Sequence, residues 1–185
     1  MSINFFAALL LGHLIGDFPL QTNRIAQAKH QSQAMLVIHV LIHVCVTAAL
    51  LQNPLNNLPL LLMIGATHYL IDSPHVGAMH SGASRGFLFD QMVHLSTLSA
   101  ITLITMFSPD TLPINALPTT ILYPALAYGL LLGGMVFGWI WANEIALSAT
   151  HHMRQIGWMQ SRMLLMSQRA GVALLGLIVV ALFVK

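Results

Sequence analysis

Four pairs of ligand-type residues stand out, because each pair has the four-residue spacing that places two side chains on one face of a helix. The pairs are His13 with Asp17, His39 with His43, His68 with Asp72, and Asp90 with His94. Each pair lies in its own apolar run, and three of the five acidic residues of the chain belong to the set. Imidazole and carboxylate groups are ligands for zinc, iron and other divalent metals. The spacing therefore predicts a metal site built by four helices.

Eight ligands are more than one tetrahedral zinc ion needs. They suit two metal ions about 3.5–4 Å apart with positions left for water, which is the arrangement of two-metal hydrolytic sites. Some of the eight residues can instead orient a ligating imidazole by a hydrogen bond, without binding the metal. We expect two zinc ions, with iron or manganese as alternatives. A proton or ion pathway and a purely structural hydrogen-bonding role are the competing interpretations of the same residues.

The composition indicates an integral membrane protein. Of the 185 residues, 57% are hydrophobic and only 6% are charged, whereas a soluble domain carries about 25% charged residues. The chain has no cluster of Lys and Arg residues, so a nucleic-acid partner is excluded and the expected partner is the lipid bilayer. Nothing in the sequence indicates the oligomeric state.

Six apolar runs predict an all-α, polytopic bundle of about six transmembrane helices, since roughly 20 apolar residues cross a bilayer. The runs cover about residues 3–20, 33–52, 58–74, 86–107, 120–147 and 163–184. We expect a single transmembrane domain, 1–185, with a four-helix metal-site unit in 1–108 and two further helices in 119–185. An amphipathic segment near 149–161 is predicted to lie at the membrane interface.

Basic residues predict the orientation. Loops between runs one and two, three and four, and five and six hold all the loop Lys and Arg residues, which the positive-inside rule places in the cytoplasm. Both termini are then periplasmic. All four pairs fall at similar depth in the cytoplasmic half of the membrane, and Glu144 lies near the same depth.

An internal repeat supports a common site. The strings HLIGDFP and HYLIDSP both fit H-x-x-x-D-x-P, and each is followed by a run with another pair, in HVLIH and then DQMVH. The repeat therefore predicts that the first four helices form two parallel-repeat hairpins around a polar site. A pseudo-two-fold axis along the membrane normal would relate the two hairpins.

The favoured function is metal-dependent hydrolysis of a lipid-linked or phosphate-ester substrate. Glu144 or Asp90 would act as the general base, and Arg85, Arg24 and Lys29 could hold an anionic head group. Positive-inside placement alone also explains Arg85, and Glu144 could instead be a helix-end carboxylate that faces the membrane interface.

A proton- or metal-ion-coupled transporter using the same His and Asp cluster is the alternative function. It needs polar groups that continue to the outer side, and the outer halves of the runs have almost none. Haem binding through two His residues would leave the three Asp residues without a role.

The strings LLLGHLIGDFPLQTNRIAQAK, HVLIH, THYLID and FLFDQMVH resemble the bacterial membrane proteins of the domain-of-unknown-function 3307 family, over roughly residues 5–100. The most specific part is H-x-x-x-D-F-x-L-Q-T with a Lys shortly after it. The resemblance implies a bacterial inner-membrane location and carries all four pairs onto the family's polar pattern, but it implies no activity. A more distant likeness is to predicted inner-membrane metal-dependent hydrolases. One departure is Ser73-Pro74-His75 after Asp72, where the family pattern leads us to expect a Lys.

Overall fold

The regular elements of the computed structural model are all helices in the parts of the chain that it describes, residues 2–73, 83–107, 116–148 and 153–183. The elements are α1 (Ser2–Asp17), α2 (Asn23–Ala28), α3 (Gln33–Ala49), a 3₁₀ turn (Pro54–Asn57), α4 (Leu58–Ile71), α5 (Ala83–Met106), α6 (Thr119–Ser148) and α7 (Met153–Phe183). The prediction of an all-α fold is thus confirmed for these residues.

Polar residues and prolines determine where the helices of the first half begin and end. The Thr22 side chain accepts a hydrogen bond from the backbone N–H of Ile25 at 3.3 Å and starts α2. Ser32 caps α3 in the same way, with Met35 as the donor at 3.4 Å. Helix α4 ends just before Asp72, two residues ahead of a proline that disfavours helical geometry in its predecessor.

Four helices pack in a ring: α1 on α3, α3 on α4, α4 on α5, and α5 back on α1. These are the four helices that carry the predicted ligand pairs. Helix α6 packs against α1 and α5 outside the ring, α7 packs on α6, and the short α2 lies against α3. A ring of this kind gives the four helices a shared interior, which each of them can reach with one face.

The ring is apolar over one part of its length. A cluster of buried residues there comes from α1, α4, α5 and the segment after α3, with Leu9, Ile64 and Leu98 among its members. A second apolar cluster joins α1 to α6 and α7 and contains Leu11, Leu132 and Leu174. Along each helix, the ligand pair lies to one side of the first cluster. The ring therefore has an apolar part and an adjacent polar part.

Two glycines one turn apart let α3 approach α1 closely. A Cβ atom on Gly16 would lie only 2.3 Å from Cε1 of His43, and one on Gly12 would lie 2.9 Å from Oγ1 of Thr47. Small residues spaced in this way are common where membrane helices pack. The sequence GHLIG therefore provides the space that the His43 ring fills.

Three helical stretches are long and apolar enough to cross a membrane: Ala83–Met106, Thr119–Ala146 and Leu165–Phe183. Helices α1 and α3 contain shorter apolar stretches, Ile3–Asp17 and Gln33–Ala49. The 14 residues of α4 extend about 21 Å at 1.5 Å per residue, less than the hydrocarbon core. The described residues thus contain three candidate spans, and six remains a prediction. Of the predicted interfacial segment, 149–152 lie outside the described residues and the remainder begins α7.

Candidate metal centre

The structure brings the side chains of all four predicted pairs together in the interior of the ring. Their ligand atoms form three overlapping groups: Asp17, His39, His43 and His68; His13, His68 and His94; and Asp72, Asp90 and His94. Within each group the atoms lie within 4.8 Å of one another. Seven of the eight residues are buried, and only Asp90, with 37% of its side chain exposed, faces outward.

The first group has the dimensions of a tetrahedral zinc site. Oδ1 of Asp17 lies 3.2 Å from Nε2 of His43 and 3.3 Å from Nε2 of His39, and Nε2 of His39 lies 3.2 Å from Nε2 of His68. Ligand bonds of 2.0–2.2 Å at tetrahedral angles separate neighbouring ligand atoms by about 3.3 Å. Three of the six separations in this group therefore fall at the tetrahedral value, and all six ligand–ligand separations are within 4.8 Å, so the four residues could hold a metal ion.

Several of these atoms have no hydrogen-bond partner although they are buried. They include Oδ1 of Asp17, Nε2 of His43 and Nε2 of His94. The first two lie 3.2 Å apart, but their angles do not meet hydrogen-bond geometry. Buried polar atoms in proteins are nearly always bonded, because leaving one unpaired costs about 1–3 kcal/mol. A cation in the first group would satisfy the atoms of Asp17 and His43, and one in a group that includes His94 would satisfy the third.

His94 has the orientation typical of a metal ligand. Its Nδ1 lies 2.9 Å from the carbonyl oxygen of Asp90, and a carbonyl can only accept, so Nδ1 carries the proton. This leaves a lone pair on Nε2, which is buried and lies 3.8 Å from Oδ1 of Asp72. Ligating histidines commonly donate their other ring N–H to a carbonyl group in this way. With Asp90 and Asp72, His94 forms a looser, three-ligand group.

Lys29 enters the cluster from the connection between α1 and α3. Its Nζ donates a hydrogen bond to Oδ2 of Asp72 at 2.8 Å and lies 3.4 Å from Nε2 of His39. Burial favours a lower pKa for this ammonium, but the carboxylates of Asp17 and Asp72 outweigh it, and the pKa is raised above its ordinary value. Lys29 is therefore a buried cation in contact with the predicted ligands.

Sequence reasoning placed Lys29 in a loop and did not include it in the cluster. No spacing rule could have found it, because its position depends on how α2 folds back against α3. Two sequence features favour this position of Lys29. They are the Thr22 cap that starts α2 and the apolar, buried Ile25 within α2. Together they anchor a six-residue helix whose C-terminal cap is Lys29.

Gln91 connects three members of the cluster. Its Nε2 donates hydrogen bonds to Oδ2 of Asp17 at 3.0 Å and to Oδ2 of Asp90 at 3.2 Å, while its Oε1 lies 3.3 Å from Nε2 of His13. Gln91 directly follows Asp90 in the sequence. Gln21 adjoins the first pair, and its Oε1 is buried without a hydrogen-bond partner.

The remaining predicted site residues lie away from the three ligand groups. The Glu144 carboxylate accepts a hydrogen bond at 3.1 Å from the backbone N–H of Ser84, in the first turn of α5. It thereby satisfies one of the N–H groups that a helix start leaves without an intrahelical partner. Arg24, on α2, and Arg85, on α5, are exposed.

A small cavity adjoins the cluster on the side of the apolar core. It is lined by the imidazoles of His13, His43, His68 and His94, by three threonines, and by apolar side chains that include Leu9 and Leu98. Its volume of about 10 Å³ is enough for roughly one water-sized occupant. This cavity therefore has room for an ion or a water molecule.

These features define a class: a helical membrane protein whose helix ring encloses a buried site of histidines, aspartates and one lysine. The chain belongs to the family described as "Protein of unknown function (DUF3307)", whose family model matches residues 5–120. The resemblance to this family seen in the sequence is thereby confirmed, and the match includes all four ligand pairs of the ring. No curated protein and no solved structure matches the chain.

Proposed function

We propose that this protein is a membrane-embedded, metal-dependent hydrolase whose His and Asp cluster holds divalent metal, most readily zinc. The observation that carries the proposal is the set of buried ligand atoms without hydrogen bonds, Oδ1 of Asp17 and Nε2 of His43 foremost, spaced like the corners of a zinc tetrahedron. Such an arrangement costs free energy unless a cation occupies it.

The two candidate metal positions differ in the number and the exposure of their ligands. Asp17, His39, His43 and His68 offer four ligands, which is the number of a closed zinc site. Asp72, Asp90 and His94 offer three ligands and include the partly exposed carboxylate of Asp90, which is the pattern of a catalytic site with a position left for water. We propose a binuclear centre in which the second position carries the chemistry.

The chemistry follows from the residues at the second position. A bound divalent metal would lower the pKa of a water ligand to about 7 and so supply a nucleophile at neutral pH. Asp90, at the exposed edge of the cluster, is the general base in our proposal, and Gln91 holds its Oδ2 by a 3.2 Å hydrogen bond. Glu144 has another role here, since it caps the start of α5.

The substrate class follows from the charge around the cluster. Arg24 and Arg85 are exposed cations at the starts of the helices α2 and α5. We propose that they bind the anionic head group of a lipid-linked or phosphate-ester substrate. The proposal includes six spans, with this side of the bundle facing the cytoplasm.

The transporter hypothesis ranks second. Transport needs a polar route past the cluster in both directions. Among the described residues, the ring beyond the cluster is filled by apolar side chains such as Phe5, Leu61 and Ile101. This packing favours a site that opens to one side only, as in an enzyme.

Elemental analysis tests the proposal. Full-length protein purified in detergent without chelators is expected to retain stoichiometric zinc, and a variant with both His39→Ala and His43→Ala is expected to lose it. His30→Ala serves as the matched control, because His30 is exposed in the connection before α3 and should leave the metal content unchanged. Wild-type protein without stoichiometric metal, or a double variant that keeps it, would contradict the proposal.

A further inference from the structure

The amide nitrogen of Gln91 joins two carboxylates that belong to different candidate metal positions. It lies 3.0 Å from Oδ2 of Asp17 and 3.2 Å from Oδ2 of Asp90. A glutamine amide nitrogen carries two N–H groups, so it can donate one to each oxygen. Both donors of Gln91 are therefore used on carboxylates, one at the end of α1 and one on α5.

The amide oxygen of Gln91 holds His13. This oxygen, Oε1, lies 3.3 Å from Nε2 of His13, which is also 3.4 Å from Oδ2 of Asp17. An amide oxygen can only accept a hydrogen bond, so Nε2 of His13 carries the proton. The N–H groups and the oxygen of the amide are thus all used within the cluster. Gln91 therefore contacts the candidate ligands without offering a free atom of its own to a metal ion.

The hydrogen bond from Gln91 makes the two oxygens of Asp17 different. Oδ2 accepts this bond, whereas Oδ1 has no hydrogen-bond partner and lies 3.3 and 3.2 Å from the Nε2 atoms of His39 and His43. A carboxylate can bind a metal ion through one oxygen or through both. With Oδ2 held by the amide, only Oδ1 is left, so the group with His68 supplies four ligand atoms, the number of a closed zinc site.

Asp90 is held by the same nitrogen. Its Oδ2 accepts from Gln91, and its Oδ1 lies 3.6 Å from Nδ1 of His94. The Asp90 side chain is 37% exposed, so its immediate surroundings enclose it less than they enclose Asp17. The hydrogen bond from Gln91 therefore restrains the one carboxylate of the set that has open space beside it.

We propose that Gln91 is a positioning residue of the metal centre, which holds Oδ2 of Asp17 and of Asp90 so that each presents only its Oδ1 to the metal positions. This inference rests on the proposed metal-dependent function and specifies how the ligands of that site are held. Residues that orient metal ligands commonly contribute about 10–100-fold to metal affinity or activity. Without the amide, Oδ2 of Asp17 would be free to bind the same ion as Oδ1, and Asp90 would lose its restraint.

Cobalt(II) spectroscopy tests the inference on the full-length protein in detergent, since zinc has no visible absorption. One equivalent of Co(II) is added to metal-free protein, and its visible absorption is strong in a four-coordinate site and much weaker at higher coordination. The wild-type spectrum is expected to be that of a four-coordinate ion. Gln91→Met keeps the length of the side chain but removes both donors, and it is expected to lose most of this absorption.

Turnover is the second measurement, with p-nitrophenyl phosphate as a soluble phosphate ester. Gln91→Met is expected to lower kcat by about 10–100-fold with little change in KM, because Asp90 is no longer held. Gln27→Met is the matched control, since it makes the same change at an exposed position on α2 and should leave spectrum and kcat unchanged. If Gln91→Met does not fold, Gln91→Glu is used instead, since its carboxylate has a similar shape and cannot donate.

The outcomes separate the two proposals. A wild-type cobalt spectrum of higher coordination, or a folded Gln91 variant with an unchanged spectrum or an unchanged kcat, would overturn the role of Gln91 and leave a metal centre in place. Wild-type protein that binds neither zinc nor cobalt would overturn the proposed function itself.

Discussion

Asp17 is the residue on which the cluster depends most directly. Its Oδ1 faces the imidazoles of His39 and His43 at 3.3 and 3.2 Å, and its Oδ2 accepts the 3.0 Å hydrogen bond from Gln91. One carboxylate thus contacts side chains from two other helices of the ring. In our proposal, the oxygen that has no hydrogen bond, Oδ1, binds the metal ion.

The two candidate bases can be separated by substitution. Asp90→Asn is expected to lower hydrolysis of a phosphate ester by about 10²–10⁴-fold, the usual contribution of a general base, while the zinc of the four-ligand group is retained. Glu144→Gln should stay within a few-fold of wild type and lower the melting temperature slightly, because a neutral amide accepts more weakly from the N–H of Ser84. Turnover and zinc content are measured on the same preparations. A large loss of turnover in Glu144→Gln with a normal melting temperature would indicate that Glu144 is the general base.

At the scale of elements, the contact between α1 and α3 positions three of the four ligands of the first group, namely Asp17, His39 and His43. Gly16 lies against the ring of His43, and Gly12 lies against Thr47 one turn away. Since His43 is only 2% exposed, its ring has no open space into which it could move. The absence of a side chain at Gly16 therefore leaves the space in which the His43 ring lies.

Gly16→Ala should weaken zinc binding although it changes no ligand. Its Cβ would lie 2.3 Å from Cε1 of His43, and overpacking of this kind costs about 1–3 kcal/mol. Gly134→Ala makes the same change within α6, where a Cβ meets nothing within 4 Å, so it should be neutral or slightly stabilising. Zinc affinity by competition with a chelating dye, together with the melting temperature, compares the two. Equal zinc affinity in both variants would show that His43 does not need its present position to bind metal.

At the scale of the whole molecule, the ring divides into an apolar part and a polar part, and α6 and α7 add an apolar layer on one side. Large exposed apolar residues are frequent on α5, α6 and α7, among them Met92, Leu131 and Val180. A soluble protein would rarely expose so many, and a lipid environment accounts for them. The orientation of the helix bundle in the membrane determines which compartment the His and Asp cluster faces.

Cysteine labelling tests the predicted orientation. In a Cys45→Ala background, Asn56→Cys and Arg24→Cys introduce a thiol at an exposed position in the turn between α3 and α4 or on α2. A membrane-impermeant maleimide added to spheroplasts should label the first and not the second, because the basic connection is expected to face the cytoplasm. Both should be labelled after the membrane is lysed. The reverse pattern would place the cluster on the outer side and exclude a cytoplasmic substrate.

Much of the site was predictable because helical spacing is a local property. His13 and Asp17 are one turn apart on any helix, and the apolar runs around each pair predicted where those helices lie. The number of spans was less certain, because α1, α3 and α4 are shorter than their apolar runs suggested once caps and turns end them.

The sequence by itself thus determined the helical class, the family, and four ligand pairs at one-turn spacing, since all of these follow from residue type and order. Only the tertiary structure decided that four helices close into a ring, that Gly16 accommodates His43, and that Lys29 pairs with Asp72 across 43 positions of the chain. The physical reason is that packing and electrostatic contacts depend on distances between remote segments. Local periodicity can restrict those distances, but it cannot specify them.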